Sequence, residues 1–324
     1  MKGNFSKGLL LGCCLLLLFS GISLAQTYPT KPITLLINSA PGQLGDVTTR
    51  ATAARAEKVL GQPFTFVNNN AGGGAVAFGS IKKVKPDGYT IMSTATGNLI
   101  WLPYSRTVDY KVEDYTPIVT NLVMTSGVVV KADSPWKTFK ELVAYAKQNP
   151  GKVSYAITSA NVPMDIAMQY VAKVEGIRWT AVPTPGSDPN TMLLGGHVTA
   201  YSGSTSWLPH VKSGAFRLLA MHSAKRLKEF PDVPTFKELG YDFVHETYSV
   251  FLAPKGTPEP IIKKLDDAFR KALDDKEVTD LYAKFGISAA YRDHKQTSKD
   301  LYESRDVVGK VMKTIGIITE PAKK

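Results

Sequence analysis

The chain has 324 residues, 44% of them hydrophobic and 21% charged, with a formal net charge of +11. That length suits two domains of ordinary size. Both cysteines, Cys13 and Cys14, fall at the extreme N-terminus, so the rest of the chain excludes disulfides, thiolate metal sites and a cysteine nucleophile.

The first element is a secretory signal peptide over residues 1–25. Lys2 and Lys7 form its basic start, and residues 9–19 form an apolar core too short to span a bilayer. Ser23 and Ala25 make a small-residue cleavage site, giving a mature start near Gln26 and a charge of +9 once the two lysines leave. A lipid-attachment box, Leu10-Leu11-Gly12-Cys13, competes for the same segment. Cleavage there would leave an apolar run through Leu18 on the mature chain. No later segment reaches the ~18 consecutive apolar residues of a membrane helix. The short basic clusters at 82–85, 225–228 and 263–264 lack interleaved aromatics, which reads as a solvated surface and not as a nucleic-acid site.

Strand-like and helix-like segments then alternate, the pattern of an α/β protein with mainly parallel sheets. Strands are expected at Ile33–Ile37, 64–67 and 90–94, with helices over 51–60 and 75–84 between them. A strand at 127–131 leads to a capping box, Thr138 to Glu141, that opens the helix Phe139–Gln148. A second cycle follows, with strands at 153–157, 179–182, 198–201 and 216–222 and helices at 164–174 and Leu208–Lys212. Thr235 to Glu238 is another capping box. Thr257 and Pro258 open a helix with Ile261, Ile262, Leu265, Phe269, Ala272 and Leu273 on one face. A chain leaving its first lobe near Val128 and returning near Val250 gives lobe 1 as 26–127 plus 251–324 and lobe 2 as 128–250. The two lobes would face each other across a hinged cleft.

Two stretches carry the chemistry. Residues 34–46 and 64–91 each run from an apolar strand, through a loop rich in Gly or Asn, into a helix. Such a corner leaves backbone N–H groups unpaired at the positive end of a helix dipole, and it holds an anion without Lys or Arg. Charge-assisted hydrogen bonds contribute roughly 1.5–3 kcal/mol each. Three or four therefore approach the ~8 kcal/mol of micromolar binding.

Enzyme motifs are incomplete. Gly72, Gly74 and Ala77 fit a dinucleotide fingerprint by letter, but no acid stands about 20 residues on. His245-Glu246 begins a zinc-protease motif whose second histidine position holds Ser249. Ser80 and Lys83 have the spacing of a serine acyl enzyme without its companion motifs. No cofactor, metal or catalytic group is expected.

The chain also carries, in order, YPTKPITLLI, APGQLGD, NNNAGGGAVA, KPDGYTI, NPGKVSYA, LLGGHV, LPHVKSGAFRLLA, SAKR, FPDVPTFKELGY and LAPKGTPEPIIKKL, from Tyr28 to Leu265. In these it resembles the extracytoplasmic solute-binding receptors of tripartite tricarboxylate transporters, the Bug family. The resemblance implies a monomeric, periplasmic, two-lobed "Venus flytrap" receptor. Its partners would be a small organic carboxylate (mono-, di- or aromatic) and the transporter's membrane subunits. A sensory receptor for the same ligands, or a secreted hydrolase on a similar scaffold, are the alternatives.

The resemblance also carries over the ligand-binding positions. In the first loop these are Pro41, Gly42, Gln43, Leu44 and Asp46, where Gln43 and Leu44 depart from a pattern close to PGGSTD and the hydroxyls are lost. The second loop supplies Ala71, Gly72 and Gly73; the third supplies Thr94 and Thr96. The second lobe supplies Thr158, Ser159, Asn161, Asp165, Ser202 and Ser204. Asp165 either caps its helix or faces a donor group on the solute. Leu44, Met164, Tyr201 and Trp207 hint at a less polar or aromatic acid.

Overall fold

The computed structural model describes residues 28–317, except 106, 159, 185–187 and 286. The signal peptide, the lipid-attachment box and the candidate Ser159 lie outside the described residues.

The apolar run Ile33–Ile37 forms β1, with alternate side chains fully buried. It pairs in parallel with β2 (Phe64–Asn68) and β3 (Thr90–Ala95). Helix α1 (Leu44–Leu60) connects β1 to β2, and α2 (Ala75–Ile81) lies between β2 and β3. Two short helices, α3 (Thr96–Ile100) and α4 (Leu102–Ser105), precede β4 (Tyr115–Met124). After β4 the chain enters a second sheet at β5 (Ser126–Lys131) and continues through α5 (Phe139–Gln148), β6 (Ser154–Ile157), α6 (Pro163–Glu175) and β7 (Thr180–Pro183). Next come α7 (Pro189–Leu194), β8 (Ala200–Ser204), α8 (Leu208–Lys212) and β9 (Phe216–Met221). The return brings β10 (Thr247–Pro254), α9 (Glu259–Leu273), α10 (Lys276–Lys284), β11 (Ser288–Arg292) and α11 (His294–Thr314).

The sheets have the orders β11-β4-β10-β3-β1-β2 and β7-β6-β8-β5-β9. Both are mixed, where the sequence pattern suggested mainly parallel sheets. In each, the strands built by strand–helix–strand units are parallel: β2-β1-β3 and β7-β6-β8. The strands by which the chain enters or leaves pair antiparallel, β10 and β4 in one sheet and β5 and β9 in the other, and the edge strand β11 pairs antiparallel with β4. A strand arriving directly from the other sheet has no crossover helix to restore its direction. The result is a two-lobed α/β fold.

Three local differences matter. Helix α1 starts at Leu44, seven residues before the expected helix, because its first turns are polar: Thr48 and Thr52 donate their hydroxyls to the carbonyls of Leu44 and Thr48. Those bonds satisfy the β-branched hydroxyls that make such a stretch look like a loop. The box at Thr235 and Glu238 forms, with reciprocal bonds of 3.2 and 2.8 Å, but encloses a turn and no helix. Helix α9 buries Ile262, Leu265, Phe269, Ala272 and Leu273 as its stripe predicts, while Thr257 bonds Pro254 and leaves Pro258 as the cap.

One core cluster spans both sheets. It joins Met92 and Val250 to Val128, Val130 and Tyr155, with Trp101, Phe243 and the α11 residues Leu301, Val308 and Met312 between them.

Candidate functional site at the strand-to-helix corners

The carboxyl ends of β1, β2 and β3 meet at one edge, where β1 has β2 on one side and β3 on the other. An open α/β sheet binds ligands at such a reversal of strand order. The Asn38 N–H donates to the Ser93 carbonyl and the Asn69 N–H to the Ile37 carbonyl, so the three strand ends are tied together.

The corner from β1 into α1 is built around an acid. Gly42 takes a left-handed φ of +77° and donates its N–H to Asp46 Oδ2 at 2.9 Å. Gln43 is extended and the helix begins at Leu44. Asp46 Oδ1 accepts from Arg50 Nε at 2.7 Å and from Asn68 Nδ2 at 2.8 Å. Asn68 also donates to the Ser39 carbonyl and accepts from Arg50, so the strand end, loop and helix form one network. Burial opposes ionisation of Asp46, but the bonds from Asn68, Gly42 and Arg50 outweigh it and hold the carboxyl below its usual range.

The corner from β6 into α6 repeats this frame in the other lobe. Asn161 takes a left-handed φ of 59° and donates its N–H to Asp165 Oδ2 at 2.7 Å. Val162 is extended, and Asp165 is the third helical residue, as Asp46 is in α1. Asp165 also accepts from Gln169 Nε2 at 2.9 Å and, at Oδ1, from the Tyr155 hydroxyl at 2.7 Å. Asp165 is therefore neither the N-cap, which is Val162, nor short of partners: both its oxygens are taken by the protein's own donors. Burial and the adjacent carboxylate push the Tyr155 phenol up from its usual value.

Each acid accepts from the amide four residues back and leaves the first helical N–H groups turned outward. At α1 these belong to Leu44 and Gly45, which have no hydrogen-bond acceptor among the described residues.

A cavity of about 140 Å³ opens at the first corner, lined by Ile37, Asn38, Ser39, Leu44, Gly45, Thr48, Ser93, Thr94, Ala95, Leu122, Met124 and Ser249. Of the sequence-predicted positions, Leu44 and Thr94 line it. Pro41, Gly42 and Gln43 are exposed at its side, and Asp46 is buried behind it. Thr96 is turned away, because its hydroxyl accepts the Tyr248 N–H. The second loop is a 3-10 turn, Ala71–Gly74, that includes Gly73. Its Ala71 and Gly72 are exposed, and Gly72 lines a separate groove with Val76, Lys83 and Asp109.

The second-lobe positions do not line the cavity. Thr158 and Asn161 are exposed, Ser202 donates to the Met164 carbonyl at 2.8 Å, and Ser204 pairs with Ser126 at the crossing. Tyr201 and Trp207 do not line a cleft. They are core residues, held by Ser206 and by the Gly203 carbonyl. Asn38, Ser39, Thr48, Ser93, Leu122, Met124 and Ser249 were not singled out from sequence. The polar–apolar alternation Thr247-Tyr248-Ser249-Val250 at the start of β10 is the signal that bears on Ser249; β3 carries no such alternation at Ser93.

Gly74 fixes how the second loop meets the first. Its φ is +91°, and a Cβ there would stand 2.1 Å from Asn38 Nδ2. Gly74→Ala should destabilise the fold by about 2 kcal/mol, through backbone strain plus displacement of Asn38. Urea unfolding checks this, and an unchanged midpoint would contradict the contact.

Among the described residues no group of three or more His, Cys, Asp or Glu side chains is placed to hold a metal ion. Ser80 Oγ donates to the Ala77 carbonyl, and Lys83 pairs with Asp109, so these two do not form a nucleophile–base pair.

Known proteins resemble this chain in sequence and in fold. The family profile described as the tripartite tricarboxylate transporter family receptor matches residues 48–317. The "UPF0065 protein in gbd 5'region" of Cupriavidus necator is 35% identical over 295 residues, covering 90% of each chain. A TctC solute-binding protein from Polaromonas, solved without ligand, superposes with a TM-score of 0.82 at 27% identity, covering 89% of this chain and 99% of that one. A protein of R. palustris solved with adipate gives a TM-score of 0.68 at 26% identity, covering 89% and 98%. Matched over most of its length in sequence and in fold, the chain belongs to the tripartite tricarboxylate transporter receptor family.

Proposed function

We propose that the protein captures a small organic carboxylate between its lobes and delivers it to the membrane subunits of a tripartite tricarboxylate-type transporter. One observation carries this reading: the unpaired N–H groups of Leu44 and Gly45 stand at the mouth of a cavity with no acidic or basic side chain in its lining. A helix N-terminus attracts an anion through its dipole and its free N–H groups, with no bound counter-charge to displace. The adipate bound by the R. palustris relative supports the ligand class.

The protein works as a monomer outside the cytoplasm, after cleavage following Ala25. Lobe 1 comprises about 26–127 and 251–324, and lobe 2 about 128–250; the strands change sheet close to those bounds, with β5 of the second sheet starting at Ser126 and β10 of the first at Thr247. It turns over no substrate.

The test is thermal unfolding of the mature protein against a panel of aliphatic, hydroxylated and aromatic acids. An acid at 100 times its dissociation constant adds about 2.7 kcal/mol. For a chain of this size that raises Tm by about 4 °C. Absence of a shift across the panel would overturn the reading, and conversion of a bound acid to product would favour a hydrolase.

A further inference from the structure

We infer that the ligand is a monocarboxylate with a compact apolar body, its acid group held at the start of α1 and its body lodged against Leu44, Ile37, Leu122 and Met124. This deepens the carboxylate-receptor reading and rests on it.

The first argument is the wall. The lining contains no Lys, Arg, Asp or Glu, and much of it is aliphatic. Its volume of about 140 Å³ matches the ~150 Å³ at which an apolar cavity accepts benzene. That corresponds to about six carbon atoms beyond the carboxylate.

The second argument is the supply of donors. Most hydroxyls in the wall are already committed: Thr48 donates to the Leu44 carbonyl, Ser93 bonds Thr49, and Thr94 accepts from Asn38. Ser249 is different. It is 6% exposed, lines the cavity and has no hydrogen-bond partner among the described residues. Its Oγ is open to the cavity, so water serves it in the free protein and a carboxylate oxygen can take that place. Together with the amides of Leu44 and Gly45, Ser249 completes a set of donors sufficient for one carboxylate.

The third argument is what a second carboxylate would meet. Helix α6 begins at Pro163, which has no N–H, and the Asn161 amide is spent on Asp165. Arg50, the cation beside the first corner, is engaged by Asp46 and Asn68. A second carboxylate would find one free helical N–H at α6, that of Met164, against two at α1, and a poorly paired buried charge is strongly unfavourable.

The experiment compares three six- or seven-carbon probes by calorimetry on the mature protein: hexanoate, cyclohexanecarboxylate and adipate. The better of the two monocarboxylates should bind at least tenfold tighter than adipate. Leu44→Asn should weaken that monocarboxylate about tenfold and leave adipate within twofold. Ser249→Ala should weaken all three about fivefold, with Tm of the free protein unchanged. Should Ser249→Ala fail to fold, Leu44→Asn at the half-buried start of α1 still decides. Adipate binding as tightly as either monocarboxylate would overturn this inference and leave the receptor reading standing. Binding by none of the three, nor by any acid of the wider panel, would overturn both.

Discussion

Asp165→Ala should lower the unfolding free energy by about 3 kcal/mol, more than any single change at the first corner. The substitution strands the Tyr155 hydroxyl, the Asn161 amide and the Gln169 side-chain amide. Each buried donor left without an acceptor costs about 1–3 kcal/mol, and exposed ones recover part of that in water. Tyr155 is 1% exposed, so water does not replace its lost acceptor. Asp46→Ala removes as many bonds but should cost about 1 kcal/mol less. Its donors Gly42 and Arg50 reach solvent and rehydrate. Urea unfolding of the two variants side by side tests the pair, and equal or reversed losses would contradict the geometry. Asp165→Asn keeps the shape with one acceptor fewer and should fall between wild type and Asp165→Ala.

Stability should fall by about 4 kcal/mol between pH 7.5 and pH 5, through two histidines at the crossings between the sheets. His222 directly follows β9, and its Nδ1 lies 3.0 Å from Ser126 Oγ at the start of β5. His245 lies just before β10, with Nε2 3.0 Å from Thr247 Oγ1. The His245 N–H donates to the His222 carbonyl at 2.7 Å, so the two are joined through the main chain. Phe236 and Phe243 pack edge-on against His222, and Trp101 against His245. Neither imidazole is paired with a carboxylate among the described residues, and His222 Nε2 has no hydrogen-bond partner there. Burial lowers both, with mutual repulsion adding to the effect at His222, from 6.5 to about 3.

The unfolded chain thus binds protons below pH 6.5 that the folded chain refuses. The stabilisation is complete above that value and declines as pH falls toward 3, by about 1.4 kcal/mol per unit per histidine. At pH 5 each has lost about 2 kcal/mol. Carboxylates with lowered values, such as Asp46 and Glu175, enter only at more acid pH, which keeps the window separate. Urea unfolding at half-unit steps should give that slope, and His245→Gln should halve it. A flat profile from pH 7 to pH 5 would contradict the buried neutral pair.

Much of the architecture was legible in the residues. Alternating apolar runs located most strands of the second lobe within a residue or two, and the Thr138–Glu141 box placed α5 at Phe139–Gln148. The corners were legible too, since glycine and asparagine are the residues that tolerate the left-handed turns seen at Gly42 and Asn161. The C-terminal strand and helix, β11 and α11, carry weaker patterns and went unassigned. The start of α1 was missed because its threonines are satisfied by bonds to its own preceding turn.

The site divides in the same way. That main-chain amides at a strand-to-helix corner await an anion follows from local order alone, because a helix start leaves its first N–H groups unpaired wherever it occurs. Which side chains remain free to help is decided over long distances. Thr96 is lost to Tyr248, while Ser249 arrives beside Ala95 through strand pairing, more than 150 residues from its neighbour in the chain. Hydroxyl availability depends on what packs opposite, and packing is a property of the folded molecule. Local residue order sets the corners and the chemistry of their amides; long-range packing turns the acids at both corners inward and puts an apolar wall before the first.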